Sequence, residues 1–396
     1  MNVLVINAGS SSLKYQLINM VDQQVLCKGQ VERIGIEGSF LKQKGGAEEA
    51  DIHAEIKNHN DAIQMVLEAL TDAKHGVVKS LEEIDAVGHR VLHGGEKFAD
   101  PVLVDEQVIH DLEAIVDLGP LHMPANISGI KACQQAMPVP QVAVFDTGFH
   151  QTMPPKAYLY GLPYEAYEKH KVRRYGFHGT SHLFVSQRAA ELRGTEKGRM
   201  ITCHLGNGSS LCAILDGKCM DTSMGLTPLE GVVMGTRSGD MDPAIVKFIM
   251  EKEHKTIEEM DHYLNKESGV YGLSGVSSDF RDLAKAAAEG HRRAILALDV
   301  FIYRIQKYIG AYAAALGGVD TLVFTAGIGE NDAKMRKDIL TGMEWLGIQL
   351  DDEANQRRGE HKISAPDSKV EVWVIPTNEE LVIARETVRL AKQAKA

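Results

Sequence analysis

Apolar residues crowd positions 3–6, Val-Leu-Val-Ile, and then give way to Asn7, Gly9 and three serines. From Leu13 the pattern becomes strict alternation, with Leu13, Tyr15 and Leu17 apolar and Lys14 and Gln16 polar. A period of two is the signature of a strand. The pattern predicts a strand at 3–6, a tight turn at 7–12 and a second strand at 13–18. A phosphate-gripping loop of the GxxxxGK[ST] kind needs a second glycine and a following helix, and this stretch offers neither.

The same layout returns at 200–215, MITCHLGNGSSLCAIL. Aligning Ser209-Ser210-Leu211 with Ser11-Ser12-Leu13 places an apolar strand before each turn and an alternating strand after it. Asp22-Gln23 in one copy and Asp216-Gly217 in the other mark a further turn and a third short strand. Two copies about 200 residues apart imply two domains on one hairpin-led plan. The rest of the chain reads as α/β. Strands are expected at Ala86–Val91, after a helix end, and at Gln141–Phe145, with Asp146 at its carboxyl end. Residues 319–332 read as strand, glycine turn and helix start, and 369–390 as alternating strand, Pro-Thr turn and amphipathic helix. A helix over Arg292–Leu316, closed by Gly317-Gly318, carries Ile295, Leu298, Ile302, Ile305 and Ile309 at core spacing. The polar stretch 41–56 reads as a surface hairpin.

Composition is ordinary for a globular chain of 396 residues, long enough for two cores, with 44% hydrophobic and 24% charged residues. A formal charge of -11 argues against nucleic acid or an anionic membrane as partner. The five cysteines form no CxxC pair and leave an odd count, which suits reduced thiols. The first apolar run is too short for a signal peptide, and no run approaches a membrane span, so a cytoplasmic location is expected.

Candidate chemistry gathers at glycine-bearing turns expected at strand ends, 7–12, 204–210, 274–279 and 327–331, where free backbone N–H groups can form anion nests. Arg90, expected just after a strand, and Arg237, in GVVMGTRSGD, can approach a phosphate or carboxylate bidentately. Asp146 can orient a nucleophile or hold a metal. His178 and His182 have the i, i+4 spacing of a zinc helix, but the intervening Gly179 and a missing glutamate argue against a metalloprotease site. Thr377 and Glu380 fit a capping box, which leaves Glu379 free beside a helix N-terminus.

NAGSSSLKYQL, HRVLHGGEKF, FDTGFH, YGFHGTSH, HLGNGSSL, GLTPLEGVVMGTRSGDMDP, TAGIGEN and PTNEEL occur in that order between Asn7 and Leu381, within a resemblance that runs from Asn2 to about Arg389. This set resembles the motifs of the acetate kinase (acetokinase) family. The resemblance implies two duplicated βββαβαβα-type domains of the sugar kinase/Hsp70/actin superfamily with an active-site cleft between them. The first domain would be 1–148, joined by a C-terminal helix at about 380–396, and the second 149–379. It implies reversible transfer of the ATP γ-phosphoryl group to acetate, giving acetyl phosphate and ADP. Residue by residue, Asn7 and Glu379 match a Mg2+ site, in which Mn2+ can substitute, and Lys14 an ATP-phosphate contact. Arg90 matches the carboxylate-binding arginine and Asp146 the catalytic aspartate, while His178 and Arg237 match transition-state stabilisers. His204, Leu205, Gly206, Asn207 and Gly208 resemble nucleotide-binding positions, as do Asp279, Phe280 and Arg281. Gly327, Ile328, Gly329, Glu330 and Asn331 complete that set.

That inventory suits the reaction. Acetate needs no deprotonation near pH 7, so the difficulty is to bring two anions together and hold charge on a phosphoryl group in flight. An acyl phosphate hydrolyses readily, so closure that excludes water is expected. Leu92, two residues beyond Arg90, together with Leu121 beside His122, Phe177 and Pro228, is the expected acyl wall. A homodimer is what the family implies. A propionate or butyrate kinase and an Hsp70-like ATP-driven binding module are the alternatives. The second would need a client-binding segment beyond the nucleotide lobes.

Overall fold

A computed structural model describes residues 1–395, which form two compact units, 1–148 with 378–395, and Phe149–Thr377. The first unit is built on an eight-stranded sheet. Its strands are β1 (Asn2–Ala8), β2 (Ser12–Asn19), β3 (Gln24–Glu32), β4 (Phe40–Lys44), β5 (Ala50–His53), β6 (Ala86–Val91), β7 (Val102–Leu103) and β8 (Gln141–Phe145). They lie in the order β5-β4-β3-β2-β1-β6-β8-β7. β1 to β5 form an antiparallel meander, while β1, β6 and β8 run parallel. The opening apolar run is explained by cover on both faces. Leu4 and Ile6 pack with the His59–Thr71 helix and residues of the Met123–Ala136 helix, whereas Val3 and Val5 pack with Ile383 and Ala384 of the Glu379–Lys395 helix. Gly88 admits that last helix, because a Cβ there would run into Thr387 and Ile383.

The second unit repeats the plan with β9 (Arg199–Leu205), β10 (Ser209–Leu215), β11 (Lys218–Thr222), β12 (Thr321–Thr325), β13 (His361–Lys362) and β14 (Glu371–Val374). Its order is β11-β10-β9-β12-β14-β13, with β9, β12 and β14 parallel. Five strands of each sheet, β3-β2-β1-β6-β8 and β11-β10-β9-β12-β14, therefore share order and direction, the duplication expected from the repeat. The 41–56 stretch spans the β4–β5 hairpin. Among the described residues no helix is long and apolar enough to cross a membrane.

Several local expectations are corrected. The Arg292–Leu316 helix has the expected bounds, but its buried stripe is Ala294, Ala297, Phe301, Ile305 and Ile309, while Ile295 is 41% exposed. The two alanines let the helix lie close to its neighbours, which rotates the face away from Ile295. Residues 326–331 are helical and follow β12 directly, with Ala326 at φ 64° in place of a glycine turn. The 274–279 segment joins two helices and not a strand end. Residues 81–83 form a 3-10 turn where a helix end was expected. β6 has the bounds expected, so Arg90 lies inside that strand and not just after it. The capping box at Thr377 does not form: Asn378 accepts from the N–H of Leu381, and the Thr377 hydroxyl meets Ser181 instead.

Candidate functional site

In the first unit, parallel β1, β6 and β8 bring Asn7, Arg90 and Asp146 to one end of the sheet, and the C-terminal helix adds Glu379 at its first turn. Arg90 donates to both carboxylate oxygens of Asp146, Nη2 to Oδ2 at 2.7 Å and Nε to Oδ1 at 3.3 Å, and its Nη1 reaches Asn7 Oδ1 at 3.4 Å. Asp146 is only 1% exposed. Burial alone would lower the Arg90 guanidinium, and the Asp146 and Glu379 carboxylates reverse this and raise it. Glu379 is pushed up to about 7, by burial first and then by the like charge of Asp146, with Arg90 pulling the other way. It is not the free, solvated carboxylate expected beside the helix.

A pocket of about 330 Å3 opens beside this cluster. Asn7, Lys14, Arg90 and Glu379 line it, and so do Lys28, Lys42 and Lys44 from the neighbouring strands. Asn126 ties the end of β1 to the segment after β6, donating to the Ala8 carbonyl at 2.6 Å and accepting from the Leu92 N–H at 2.9 Å. Leu92 is buried, whereas Leu121 is 68% exposed and His122 stands at the start of the Met123–Ala136 helix. The three added lysines and Asn126 were not legible beforehand. Only strand pairing, which sets Lys28 opposite Lys44 and Gln30 opposite Lys42, brings the lysines together.

In the second unit, His178 caps the Gly179–Arg193 helix in the left-handed region at φ 55°. Its Nδ1 lies 2.9 Å from Ser210 Oγ, and its ring stacks on His204 at 4.0 Å between centroids. The network continues, with Ser210 Oγ 2.7 Å from His182 Nε2 and His182 Nδ1 2.7 Å from Thr202 Oγ1. His182 is thus a network member held neutral, because burial and the neighbouring histidines lower it well below the usual range. Ser210, read from sequence as a turn residue, is the link between the two histidines.

Arg237 approaches the same spot. A Cβ on Gly208 would lie 3.5 Å from Arg237 Nη1 and 3.6 Å from His178 Nε2, so the guanidinium and imidazole converge over the β9–β10 turn. Arg237 donates to the Pro228 carbonyl at 3.2 Å and has no ion-pair partner among the described residues; burial lowers its guanidinium. Gly235 must lack a side chain because Asn207 Oδ1 fills the space its Cβ would take.

Adjacent to this spot, a pocket of about 730 Å3 is lined by Gly206, Asn207, Asp279, Phe280, Arg281, Gly327, Ile328 and Asn331. Three separated segments of the expected nucleotide set therefore meet. Asp279 caps the Phe280–Ala288 helix and pairs with Arg281 at 2.6 Å. Leu205 and Gly329 are buried, and Glu330 turns inward to accept from the N–H groups of Ala326 and Thr377.

Behind His178 lies a second, wholly buried cluster. His150 Nε2 donates to the carbonyl of Phe177 at 2.8 Å, and its Nδ1 faces Cys219 Sγ at 3.2 Å. Burial acts to raise the Cys219 thiol and the hydrogen bond that Cys212 donates to it acts to lower it, with the net direction downward. Cys212, the donor of that bond, is pushed up by burial.

The acetokinase family pattern matches residues 2–385. The acetate kinase of Treponema denticola is 62% identical over 99% of this chain and 100% of its own length. That of Thermoanaerobacter pseudethanolicus is 60% identical over the whole of both. Among solved structures, Porphyromonas gingivalis acetate kinase superposes with a TM-score of 0.95 at 50% identity, covering 98% of this chain and 99% of its own. A propionate kinase from Francisella tularensis gives 0.92 at 43% identity with the same coverage. Two sheets of one plan, an arginine–carboxylate cluster on the first, a histidine–arginine pair beside a glycine-lined pocket on the second, and identity along the whole length lead to one conclusion: the chain belongs to the acetokinase family.

Proposed function

We propose that this chain transfers the γ-phosphoryl group of ATP reversibly to acetate by direct in-line attack, with no phosphoenzyme. The observation that supports this best is the pairing of Arg237, a half-buried guanidinium with no carboxylate partner, with His178 Nε2 over a glycine turn. A cation kept unpaired out of water is poised for an anion that arrives with the substrate. Glycines around it leave room for phosphate oxygens.

His178 acts in this reading as a hydrogen-bond donor. Thr202 donates to His182 Nδ1, His182 Nε2–H donates to Ser210, and Ser210 donates to His178 Nδ1. That order leaves the His178 proton on Nε2, aimed at the phosphoryl group. Asp146 engages Arg90 through two donors, so it positions the arginine that takes the acetate carboxylate; it is not needed as a base. Leu92, buried two residues beyond Arg90, limits the acyl chain. Lys14 and its neighbouring lysines add positive potential for the phosphates, and the Asp279–Arg281 and 327–331 segments hold the nucleotide.

Kinase chemistry with ATP implies a divalent metal, and the first-unit cluster suits one. Asn7, Glu379 and Asp146 are hard oxygen donors, and a Glu379 carboxyl raised by burial and by its like-charged neighbour is relieved by a cation. Mg2+ fits such a set, with Mn2+ as substitute, and when bound it neutralises phosphate charge. A homodimer in the cytoplasm completes the proposal, testable by sedimentation and by cell fractionation.

Acyl phosphate formed from ATP, Mg2+ and acetate is trapped with hydroxylamine, and propionate and butyrate are run alongside. Acetate should give the highest specificity constant. With ATP chiral at the γ-phosphorus, inversion is expected, and net retention would refute direct transfer.

A further inference from the structure

The His150–Cys212–Cys219 cluster takes no part in the proposed phosphoryl transfer, yet its geometry is specific. The three ligand atoms lie within 4.8 Å of one another, and all three side chains are fully buried. The two sulfurs are 3.4 Å apart, and His150 Nδ1 is 3.2 Å from Cys219 Sγ and 3.9 Å from Cys212 Sγ. The Phe177 carbonyl can only accept, so His150 carries its proton on Nε2 and turns the Nδ1 lone pair toward the sulfurs. Metal-bound histidines are oriented by that same outer hydrogen bond.

We propose that His150, Cys212 and Cys219 form a binding site for a thiophilic d10 cation, Zn2+ before Cu+. Bonds of ~2.3 Å to sulfur and ~2.0–2.1 Å to nitrogen at tetrahedral angles put the sulfurs ~3.8 Å apart and the nitrogen ~3.5 Å from each. The observed separations differ from these by at most about 0.4 Å, less than a rotamer adjustment. Charge favours the divalent ion: two thiolates and a neutral imidazole carry -2, which Zn2+ cancels and Cu+ does not, and an uncompensated charge in a dry interior is costly. Loading breaks the S–H bonds of Cys212 and Cys219, forms two S–Zn bonds and one N–Zn bond from the His150 lone pair, and releases the thiol protons to water, so no oxidant is required.

The site would staple the 3-10 turn carrying His150 to the β10–β11 hairpin carrying the cysteines. Through the Phe177 carbonyl it would also brace the residue that precedes His178. Its function would be structural.

Full-length protein is produced in medium supplemented with Co2+ or Zn2+ and treated with EDTA to strip exposed ions. Metal content is read by plasma mass spectrometry, and the cobalt form by its thiolate charge-transfer absorption. About one equivalent should survive chelation, because all three ligands are fully buried out of a chelator's reach, and the cobalt band should be present. Cys212→Ser and Cys219→Ser should lose both signals, whereas Cys27→Ser, on β3 of the other unit, should keep both. The zinc form should melt above protein grown without added metal. Absence of retained metal, retained cobalt without the thiolate band, or a Cys212–Cys219 disulfide found by peptide mass spectrometry would overturn the proposal. The wild-type band decides the matter even where a serine variant fails to fold.

Discussion

Replacing Arg237 by alanine should cost catalysis far more than stability, and Arg90→Ala should cost both. In the folded protein the Arg237 guanidinium donates one good hydrogen bond, to the Pro228 carbonyl at 3.2 Å, adds a weak one to Met234 Sδ at 3.7 Å, and faces no carboxylate. Losing those bonds and relieving a desolvated charge nearly offset each other, so stability should change by no more than about 1 kcal/mol. The transition state loses a charge-stabilising donor, and the scale for that loss is ~10²–10³ in turnover, about 2.7–4 kcal/mol. Arg90 differs because Asp146, 1% exposed, would be left buried without its counter-charge. Breaking a buried pair costs about 3–5 kcal/mol, and the 20% exposure of the Arg90 side chain places it toward the low end. Initial rates of trapped acyl phosphate across acetate concentrations give kcat and KM, and calorimetry gives Tm. Arg237→Ala should keep a near-normal Tm with low kcat, and Arg90→Ala should lower Tm and raise the acetate KM. A fall in turnover of less than ~10-fold for Arg237→Ala, or a Tm loss matching that of Arg90→Ala, would refute the reasoning.

Glu379 sets a pH dependence. Because its carboxyl is raised from 4.5 to about 7, the folded state holds a proton that the unfolded state releases between those values. Stability of the metal-free protein should therefore be full below that window and fall as pH rises through it, and Mg2+ should bind less well as pH drops below about 7. Denaturant midpoints and Mg2+ titrations against pH check this, and a Glu379→Gln variant with the wild-type slope would sink it. Leu92→Ala should shift the propionate-to-acetate ratio of specificity constants toward propionate by up to the ~10- to 200-fold that one methylene is worth; an unmoved ratio removes Leu92 from the acyl wall. Gly208→Ala should fold normally, since its Cβ would meet Arg237 and His178 only at ordinary contact distances of 3.5–3.6 Å. It should nonetheless lower kcat about 10²-fold by occupying the phosphoryl space, and full activity with an unchanged Tm would show that nothing binds there.

By itself the sequence determined the elements whose signal is local. Alternation at 13–17 marked a strand because successive side chains point to opposite faces, and the second glycine-serine turn exposed the duplication because both copies must close the same hairpin. Glycines at 206 and 208 and the arginine at 237 were legible as anion chemistry because few other demands put those residues together. Tertiary structure decided everything that depends on which face turns inward and which distant groups share a space. Ile295 has core spacing but lies exposed, since Ala294 and Ala297 admit closer packing than a larger stripe would. Thr377 has the letters of a capping box, yet Asn378 makes the cap while Ser181 takes the threonine hydroxyl. Glu379 titrates high only because the parallel strands β1, β6 and β8 deliver Asn7, Arg90 and Asp146 beside the first turn of its helix. The His150–Cys212–Cys219 triangle spans residues 62 and 69 positions apart from its histidine, and no local pattern encodes it. Its atoms meet because a hairpin pairs two strands and a turn packs beneath them, and burial without water then makes their charges matter to one another.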